Sequence, residues 1–303
     1  MAVVLALDIG GTKLAAAVVT EDGRVLARDR RPTVGDDGDA LFAHVTDLLG
    51  SLLGAARSPD GGGEAGGGEV VALGVGCGGP MTPNGATVSP LNIPQWRGFP
   101  LQARLAAWSG LPTSVDNDAK ALALGEGWVG AASGERDYLA MVVSTGVGAG
   151  IVVDGRLLDG ASGNAGHLGH VIVEPLGRAC VCGARGCLEA EVSGTAIAAA
   201  TGRPAAEASD EVRVRTGRLV GRAVGSTANL LDLRLAVVAG SVALGYGDLF
   251  LDAANEEAAR CAQLEFSRGL RIVTTGCGED GPVLGAAAVG LRGVGRLPIG
   301  DGA

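Results

Sequence analysis

An acid, two glycines, a hydroxyl and an ammonium group occur together in Asp8-Ile9-Gly10-Gly11-Thr12-Lys13, directly after an apolar run. Glycines let backbone amides approach a phosphate closely, and a carboxylate such as Asp8 can hold Mg²⁺ directly or through water. A tight hairpin whose glycines only supply positive φ explains the same hexapeptide equally well. These residues alone therefore leave a phosphate loop and a plain hairpin as alternatives.

The same design returns in Ser144-Thr145-Gly146-Val147-Gly148-Ala149-Gly150. Two such loops facing each other across a cleft would hold a triphosphate from both sides, so the pair favours a nucleotide site more strongly than either loop alone. Residues 74–79 also fit the G-x-G-x-x-G spacing of dinucleotide sites. Prolines and an asparagine follow them where that site needs a helix, so we do not expect a dinucleotide site.

Three of the six cysteines lie close together near a histidine, in the set His170, Cys180, Cys182 and Cys187. Three thiolates and one imidazole form a known composition of structural zinc sites. Four protein ligands leave no open position for water, so we expect a structural rather than a catalytic ion. Unligated thiols in a loop are the alternative, and the CxC-x₄-C spacing favours the metal.

A carboxylate that could act as a general base lies at Asp118, directly before a predicted helix and beside Asn117. Phosphoryl transfer to an alcohol needs such a group to orient the acceptor hydroxyl and take its proton. An Asp-Asn-Asp run before a helix is also a common N-cap pattern. The residues alone leave both interpretations open.

Composition excludes several classes of protein. The chain has 303 residues with 47% hydrophobic and 19% charged residues, which argues against a disordered chain and a coiled coil. A net charge of -9 argues against a general nucleic-acid binder. We find neither an export signal nor an apolar stretch of the roughly 20 residues that cross a bilayer, and we expect a cytoplasmic protein without membrane partners.

The elements that must position these residues follow from hydrophobic periodicity and turn signals. We predict strands at residues 3–7, 14–19, 70–75, 138–153 (two, around the second glycine loop), 235–239 and 272–275, one that begins with residues 25–27, and a short one ending near residue 115. We predict helices at residues 39–53 with Asp39 as N-cap, 101–108, 119–128, 219–231, 252–266 and 282–291, and a flexible surface loop at residues 58–69. This order predicts an α/β protein with two related halves.

Taken together, these motifs resemble the ROK family of sugar kinases and repressors, of the actin-like ATPase (ribonuclease H-like) fold. The resemblance covers essentially the whole chain, and its most specific part is the cysteine cluster ending in Gly186-Cys187-Leu188-Glu189. It implies two α/β domains around a cleft. The smaller would span residues 1–116, with a C-terminal helix at about 289–303 packing back on it, and the larger would span residues 117–288 and carry the zinc site.

The resemblance also implies roles for individual residues. Asp118 would be the general base on a sugar hydroxyl, usually the 6-hydroxyl. The sugar-binding residues would be Gly79, Asn92, Asn117, Asp118, His167, His170 and Glu189, with His170 also a zinc ligand. ATP, with its Mg²⁺, would be held by Asp8, Gly10, Gly11, Thr12, Lys13, Thr145, Gly146, Gly240 and Ser241. Family members are commonly homodimers or dimers of dimers.

Two positions depart from the family pattern. His167 stands where a glutamate usually contacts the sugar, and Ser144 replaces a glycine. A carboxylate accepts hydrogen bonds from two hydroxyls, whereas a neutral imidazole accepts one and donates one, so His167 bears on the choice of sugar.

Three functions are therefore compared. The first hypothesis is an ATP-dependent hexose kinase acting on glucose. The alternative enzyme is an amino-sugar or N-acetylhexosamine kinase of the glucosamine, kanosamine or N-acetylmannosamine type. A sugar-responsive ROK regulator is the distant alternative, because Asp8 lies too near the N-terminus for a preceding helix-turn-helix.

Overall fold

The computed structural model describes residues 1–57 and 68–297 as a mixed α/β structure with two five-stranded sheets. The strands are β1 (Ala2–Ile9), β2 (Lys13–Thr20), β3 (Val25–Pro32), β4 (Glu69–Cys77), β5 (Thr113–Asn117), β6 (Tyr138–Val143), β7 (Val147–Val153), β8 (Arg156–Leu157), β9 (Leu235–Ala239) and β10 (Arg271–Thr274). The helices are α1 (Gly38–Arg57), α2 (Leu101–Ser109), α3 (Asp118–Val129), α4 (Leu188–Val192), α5 (Gly194–Thr201), α6 (Asp210–Leu231), α7 (Ser241–Cys261) and α8 (Gly281–Gly293).

The first sheet has the strand order β3-β2-β1-β4-β5. Its antiparallel half, β1 to β3, forms hairpins, while β4 and β5 run parallel to β1. In the parallel half Asp8 pairs with Gly76, and Cys77 pairs with Asn117. The carboxyl ends of these three strands therefore meet at one edge, where ligands of open α/β sheets commonly bind.

The second sheet repeats this plan in the order β10-β9-β6-β7-β8. The β6–β7 hairpin corresponds to the β1–β2 hairpin, and β9 and β10 run parallel to β6. The two strand–glycine–strand units of the sequence thus occupy equivalent places in two sheets.

Five layers result from the alternation of side chains along the strands. In β1, Val3, Leu5 and Leu7 pack with α1 and α2, whereas Val4 and Ala6 pack on the opposite face with α8 and α3. Helix α3 also packs against β6 and β7 of the second sheet, whose far face is covered by α6 and α7. The start of α3, which carries Asp118, is thereby held between the sheets.

Gly74 explains part of the glycine pattern that resembles a dinucleotide motif. A Cβ atom at this position of β4 would lie 2.0 Å from the carbonyl oxygen of Ala286 in α8. The glycine therefore allows a helix to lie directly on the strand, which is a packing role.

Several predicted boundaries are wrong, for identifiable reasons. Helix α6 begins at Asp210, where Ser209 is the N-cap, rather than at residue 219. The prediction missed its first half because those residues are mostly polar and form no apolar stripe. Helix α7 spans Ser241–Cys261 rather than 252–266, and its non-helical Gly247 (φ 57°) interrupts the pattern. Asp37, not Asp39, accepts hydrogen bonds from the first amides of α1.

The predicted C-terminal helix at about 289–303 also needs correction. Helix α8 spans Gly281–Gly293, has Pro282 in its first turn and contacts β1, β4 and β5. Residues 298–303 lie outside the described residues, as do residues 58–67 of the predicted flexible loop. None of the helices in the described ranges is both long and apolar enough to cross a membrane.

Candidate active site and metal centre

Asp8 and Asp118 lie at the shared edge of β1, β4 and β5. Asp8 is the penultimate residue of β1, and Asp118 is the first residue of α3 after β5. Between them, a Cβ atom at Gly76 would lie 3.4 Å from Oδ1 of Asp8 and 3.8 Å from Cα of Asp118. The absence of a side chain at Gly76 leaves space at the edge where both carboxylates are placed.

The electrostatics of this pair disfavour two negative charges. Burial, and then the charge of Asp118, raise the pKa of Asp8 to about 7, although Lys13 acts in the opposite direction. The Asp118 side chain is exposed to solvent, although many protein atoms surround its carboxylate. Desolvation by those atoms raises the pKa of Asp118, while a backbone hydrogen bond and His167 partly oppose it. A proton or a cation at this edge would relieve the repulsion.

The Asp-Asn-Asp run contains an N-cap, as one of its two interpretations predicts. Oδ1 of Asn117 accepts a hydrogen bond from the amide of Ala119 (3.0 Å), so Asn117 is the N-cap of α3. Oδ1 of Asp118 accepts from the same amide (2.8 Å), and its Oδ2 accepts no hydrogen bond from the described residues. Gly79 lies beside the cap, because a Cβ atom there would be 3.4 Å from Nδ2 of Asn117.

The first glycine turn is a hairpin, but its glycines do not serve to supply positive φ. Gly10 donates a hydrogen bond to the carbonyl oxygen of Lys13 (3.0 Å), and neither Gly10 nor Gly11 has a left-handed φ. A Cβ atom at Gly11 would lie 2.6 Å from Cβ of Asn92. Gly11 therefore allows Asn92, a predicted sugar-binding residue, to approach the predicted phosphate loop. Thr12 and Lys13 are exposed beside it.

The second glycine turn lies next to Gly240-Ser241. Oγ of Ser144 is 2.9 Å from Oγ of Ser241, and Gly240 has φ 98° with no room for a side chain beside Val143. Thr145 and Gly146 occupy the tip between β6 and β7. The structure thus brings together all four residues predicted to bind nucleotide in this half.

His167, His170 and Glu189, three predicted sugar-binding residues, lie near one another. The rings of His167 and His170 are 6.1 Å apart. Partial burial, and then the charge of His170, lower the pKa of His167, whereas Asp118 and Glu189 act to raise it. Both carboxylates are therefore close enough to act electrostatically on His167.

The four predicted metal ligands converge. Their ligand atoms all lie within 4.8 Å of one another. Nδ1 of His170 is 3.6 Å from Sγ of Cys180, and the sulfurs of Cys182 and Cys187 are 3.7 Å apart. Tetrahedral Zn²⁺ with Zn–S bonds of about 2.3 Å requires sulfurs about 3.8 Å apart, so the donor set fits zinc. Positive φ at Gly183 and Gly186 lets the chain fold around this set.

Close to Asp118 in sequence, Lys120 belongs to an ion-pair network that the sequence analysis did not predict. Lys120 is 2% exposed, and its Nζ lies 2.6 Å from Asp159 and 3.0 Å from Asp116. Arg292 of α8 pairs with the same two carboxylates, at 2.9 Å from Asp159 and 3.3 Å from Asp116. The four side chains border a cavity of about 240 Å³. One sequence feature could have indicated this network: Lys120 is one of only two lysines and lies in a mostly apolar predicted helix.

Comparison with known proteins identifies the family. The ROK family model matches residues 4–292. The N-acetylmannosamine kinase of Citrobacter koseri is 38% identical over 261 residues, which cover 81% of this chain and 85% of that protein. The glucokinase of Thermotoga maritima is 35% identical over 195 residues, covering 64% of this chain and 58% of that protein.

A solved structure extends this likeness to the fold. The ROK family glucokinase from Streptomyces griseus, in complex with glucose and AMPPNP, has a TM-score of 0.78 and 29% identity. The match covers 96% of this chain and 99% of that one. The α/β architecture is therefore the actin-like ATPase fold, as the sequence resemblance implied. The chain belongs to the ROK family and is one of its sugar kinases.

Proposed function

We propose that this protein transfers the γ-phosphoryl group of ATP to the 6-hydroxyl of a hexose, with Asp118 as the general base. The observation that supports this assignment is the position of Asp118. It lies at a sheet edge and is exposed to solvent, with Asp8 beside it. Phosphoryl transfer relies mostly on positioning and electrostatics, which such an arrangement supplies.

Asp118 would act through the oxygen that the protein leaves without a partner. Oδ1 is engaged by the amide of Ala119, so Oδ2 is the oxygen available to a sugar hydroxyl. The ionised carboxylate accepts the hydroxyl proton as the sugar oxygen bonds to phosphorus and the bond to the leaving ADP breaks. The raised pKa of Asp118, caused by desolvation, makes it a better proton acceptor once it is ionised.

The nucleotide would lie between the two glycine turns. Gly10, Gly11, Thr12 and Lys13 would contact it from the first sheet, and Thr145, Gly146, Gly240 and Ser241 from the second. Asp8 fits a magnesium ligand, because burial and the neighbouring Asp118 make its ionised form costly without a cation. When bound with ATP, Mg²⁺ neutralises charge on the phosphates.

The Cys₃His cluster is proposed to hold structural zinc. Its four donors complete a tetrahedral set, so the site supplies order rather than an open coordination position. Nδ1 of His170 is the nitrogen nearest Cys180, which leaves Nε2 for a sugar hydroxyl. The metal would thereby fix the orientation of a sugar-binding side chain.

Two sugars are candidates, glucose and N-acetylmannosamine. Asn92, Asn117, His167, His170 and Glu189 would bind either one. His167 favours the acetylated sugar, because a neutral imidazole can donate a hydrogen bond to an acetamido carbonyl and a carboxylate cannot. The greater coverage of the N-acetylmannosamine kinase, 81% of this chain against 64% for the glucokinase, agrees with this choice.

A panel of hexoses with ATP tests the assignment by coupled measurement of ADP release. We expect turnover of a hexose, with a higher kcat/KM for N-acetylmannosamine than for glucose. His167→Glu is expected to shift that ratio toward glucose by at least about tenfold, or about 1.4 kcal/mol. His44→Glu, the same change on α1, is the matched control and should leave the ratio unchanged. Lack of turnover of every hexose refutes the proposed function, and an unchanged ratio in His167→Glu refutes the role of His167.

A further inference from the structure

The second glycine turn is held by the helices that follow the cysteine cluster. The amide of Val147 donates a hydrogen bond to Oε2 of Glu189 in α4 (2.8 Å). At the start of α5, the amide of Gly194 donates to the carbonyl oxygen of Ser144 (2.7 Å), and Oγ1 of Thr195 donates to that of Thr145 (2.6 Å). The predicted nucleotide loop, residues 144–147, is therefore attached to α4 and α5 at three points.

Glu189 has two different neighbours. Its Oε2 contacts the loop, whereas Oε1 accepts no hydrogen bond from the part of the chain that the structure describes. Its charge acts on His167, which also senses the charge of Asp118. One carboxylate thus lies between the predicted nucleotide loop and the predicted sugar site.

The contact between Glu189 and the amide of Val147 depends on the absence of a side chain at Gly146. A Cβ atom at Gly146 would lie 2.8 Å from Oε2 of Glu189. Gly146 does not have a left-handed φ, so its backbone conformation does not require glycine. The close approach of the Glu189 carboxylate does require it.

We propose that Glu189 is a positioning residue that couples sugar binding to nucleotide binding, an inference that rests on the sugar site proposed above. A hydroxyl donated to Oε1 restrains the side chain, so that Oε2 stays on the amide of Val147 and the loop is ordered before the nucleotide arrives. Ordering a flexible side chain and loop costs entropy. A ligand that meets this cost first makes the second ligand bind more tightly, and each substrate raises the affinity for the other by the same factor.

Calorimetric titration of AMPPNP, a non-hydrolysable ATP analogue, tests the coupling. The full-length protein is titrated alone, with saturating N-acetylmannosamine and, separately, with saturating glucose. For the sugar that the enzyme phosphorylates, we expect AMPPNP to bind at least about fivefold more tightly in its presence.

Two variants should abolish the coupling from opposite sides. Gly146→Ala places a methyl group against Oε2 and displaces the carboxylate from Val147. Glu189→Gln replaces a carboxylate, which accepts hydrogen bonds at both oxygens, by an amide, which accepts hydrogen bonds only at its single oxygen. In both variants the ratio of AMPPNP dissociation constants without and with sugar should fall close to 1.

Thr195→Val is the control, because it removes a loop contact that does not involve Glu189. It should weaken AMPPNP binding by the same factor with and without sugar, leaving the ratio at the wild-type value. Three results would overturn the coupling role. The first is a ratio of AMPPNP dissociation constants near 1 in the wild-type protein, and the second is an unchanged ratio in both Gly146→Ala and Glu189→Gln. The third is a fall of this ratio in Thr195→Val as large as in those two variants. If the wild type phosphorylates no hexose of the panel described above, the proposed function has failed as well, which separates the two failures.

Discussion

Lys120→Met is expected to lower the free energy of unfolding by removing a buried charge from an ion-pair network. The methionine side chain keeps most of the apolar stem of Lys120, which is 2% exposed in α3. The ammonium group that lies 2.6 Å from Asp159 and 3.0 Å from Asp116 is lost. The Asp116 side chain, 12% exposed, then keeps its charge with one partner fewer.

The size of the effect follows from the burial of each group. Removing one partner from a fully buried ion pair costs about 3 to 5 kcal/mol. Two features reduce this cost here. The side chain of Asp159 is 50% exposed and stays partly hydrated, and Arg292 still pairs with both carboxylates. We therefore expect a loss of about 2 to 3 kcal/mol.

Urea denaturation with an unchanged m-value measures this loss. Asp159→Asn removes the exposed partner of the same network and is the control, with an expected loss below about 1 kcal/mol. A Lys120→Met protein as stable as the wild type would refute the reasoning, since it would mean that the buried ammonium contributes nothing net. A larger loss of unfolding free energy in Asp159→Asn than in Lys120→Met would refute the argument that the more buried charge contributes more to stability.

Two further predictions concern the proposed ion sites. Because burial and Asp118 raise the pKa of Asp8 to about 7, the folded protein retains a proton that the unfolded chain, with a pKa near 3.8, has released. The stability of the unliganded protein should therefore fall as pH rises from about 4 to 7, by about 4 kcal/mol for a shift of about three pKa units. Asp8→Asn should flatten this dependence in denaturation curves, and an unchanged slope would contradict the assignment. Protein purified without chelators should contain about one zinc per chain by elemental analysis. Cys187→Ser should lose the ion and Cys261→Ser should keep it, so equal zinc contents would exclude the Cys₃His site.

The strands of the fold were largely predictable because uninterrupted apolar runs end at turn residues. The strand β9, Leu235–Ala239, has the predicted bounds, and the β6–β7 hairpin surrounds its glycine turn as expected. The helices α6 and α7 were predicted too short at their N-terminal ends. Periodicity detects buried faces, and the first residues of α6 are mostly polar. Such segments become helical through capping and tertiary contacts, which periodicity does not register.

The candidate site was predictable where its residues are close in sequence. The Cys₃His set spans only residues 170–187, so its spacing alone indicates a common ligand. The ion-pair network around Lys120 was not predictable, because its members Asp159 and Arg292 lie 39 and 172 positions after Lys120 in the sequence. The contact between Glu189 and Val147 joins residues 42 positions apart and depends on how α4 packs against the loop. No local pattern encodes such distances.

The central claim, that Asp118 takes the proton of the sugar hydroxyl, is tested most directly by single-turnover and steady-state kinetics of Asp118→Asn. The asparagine keeps the size of the side chain and its contact with Ala119, but it removes the proton acceptor. We predict that kcat falls by about 10²- to 10⁴-fold. The dissociation constants of the sugar and of AMPPNP for Asp118→Asn should stay within about threefold of the wild-type values, or about 0.6 kcal/mol. A kcat close to that of the wild type would contradict the account.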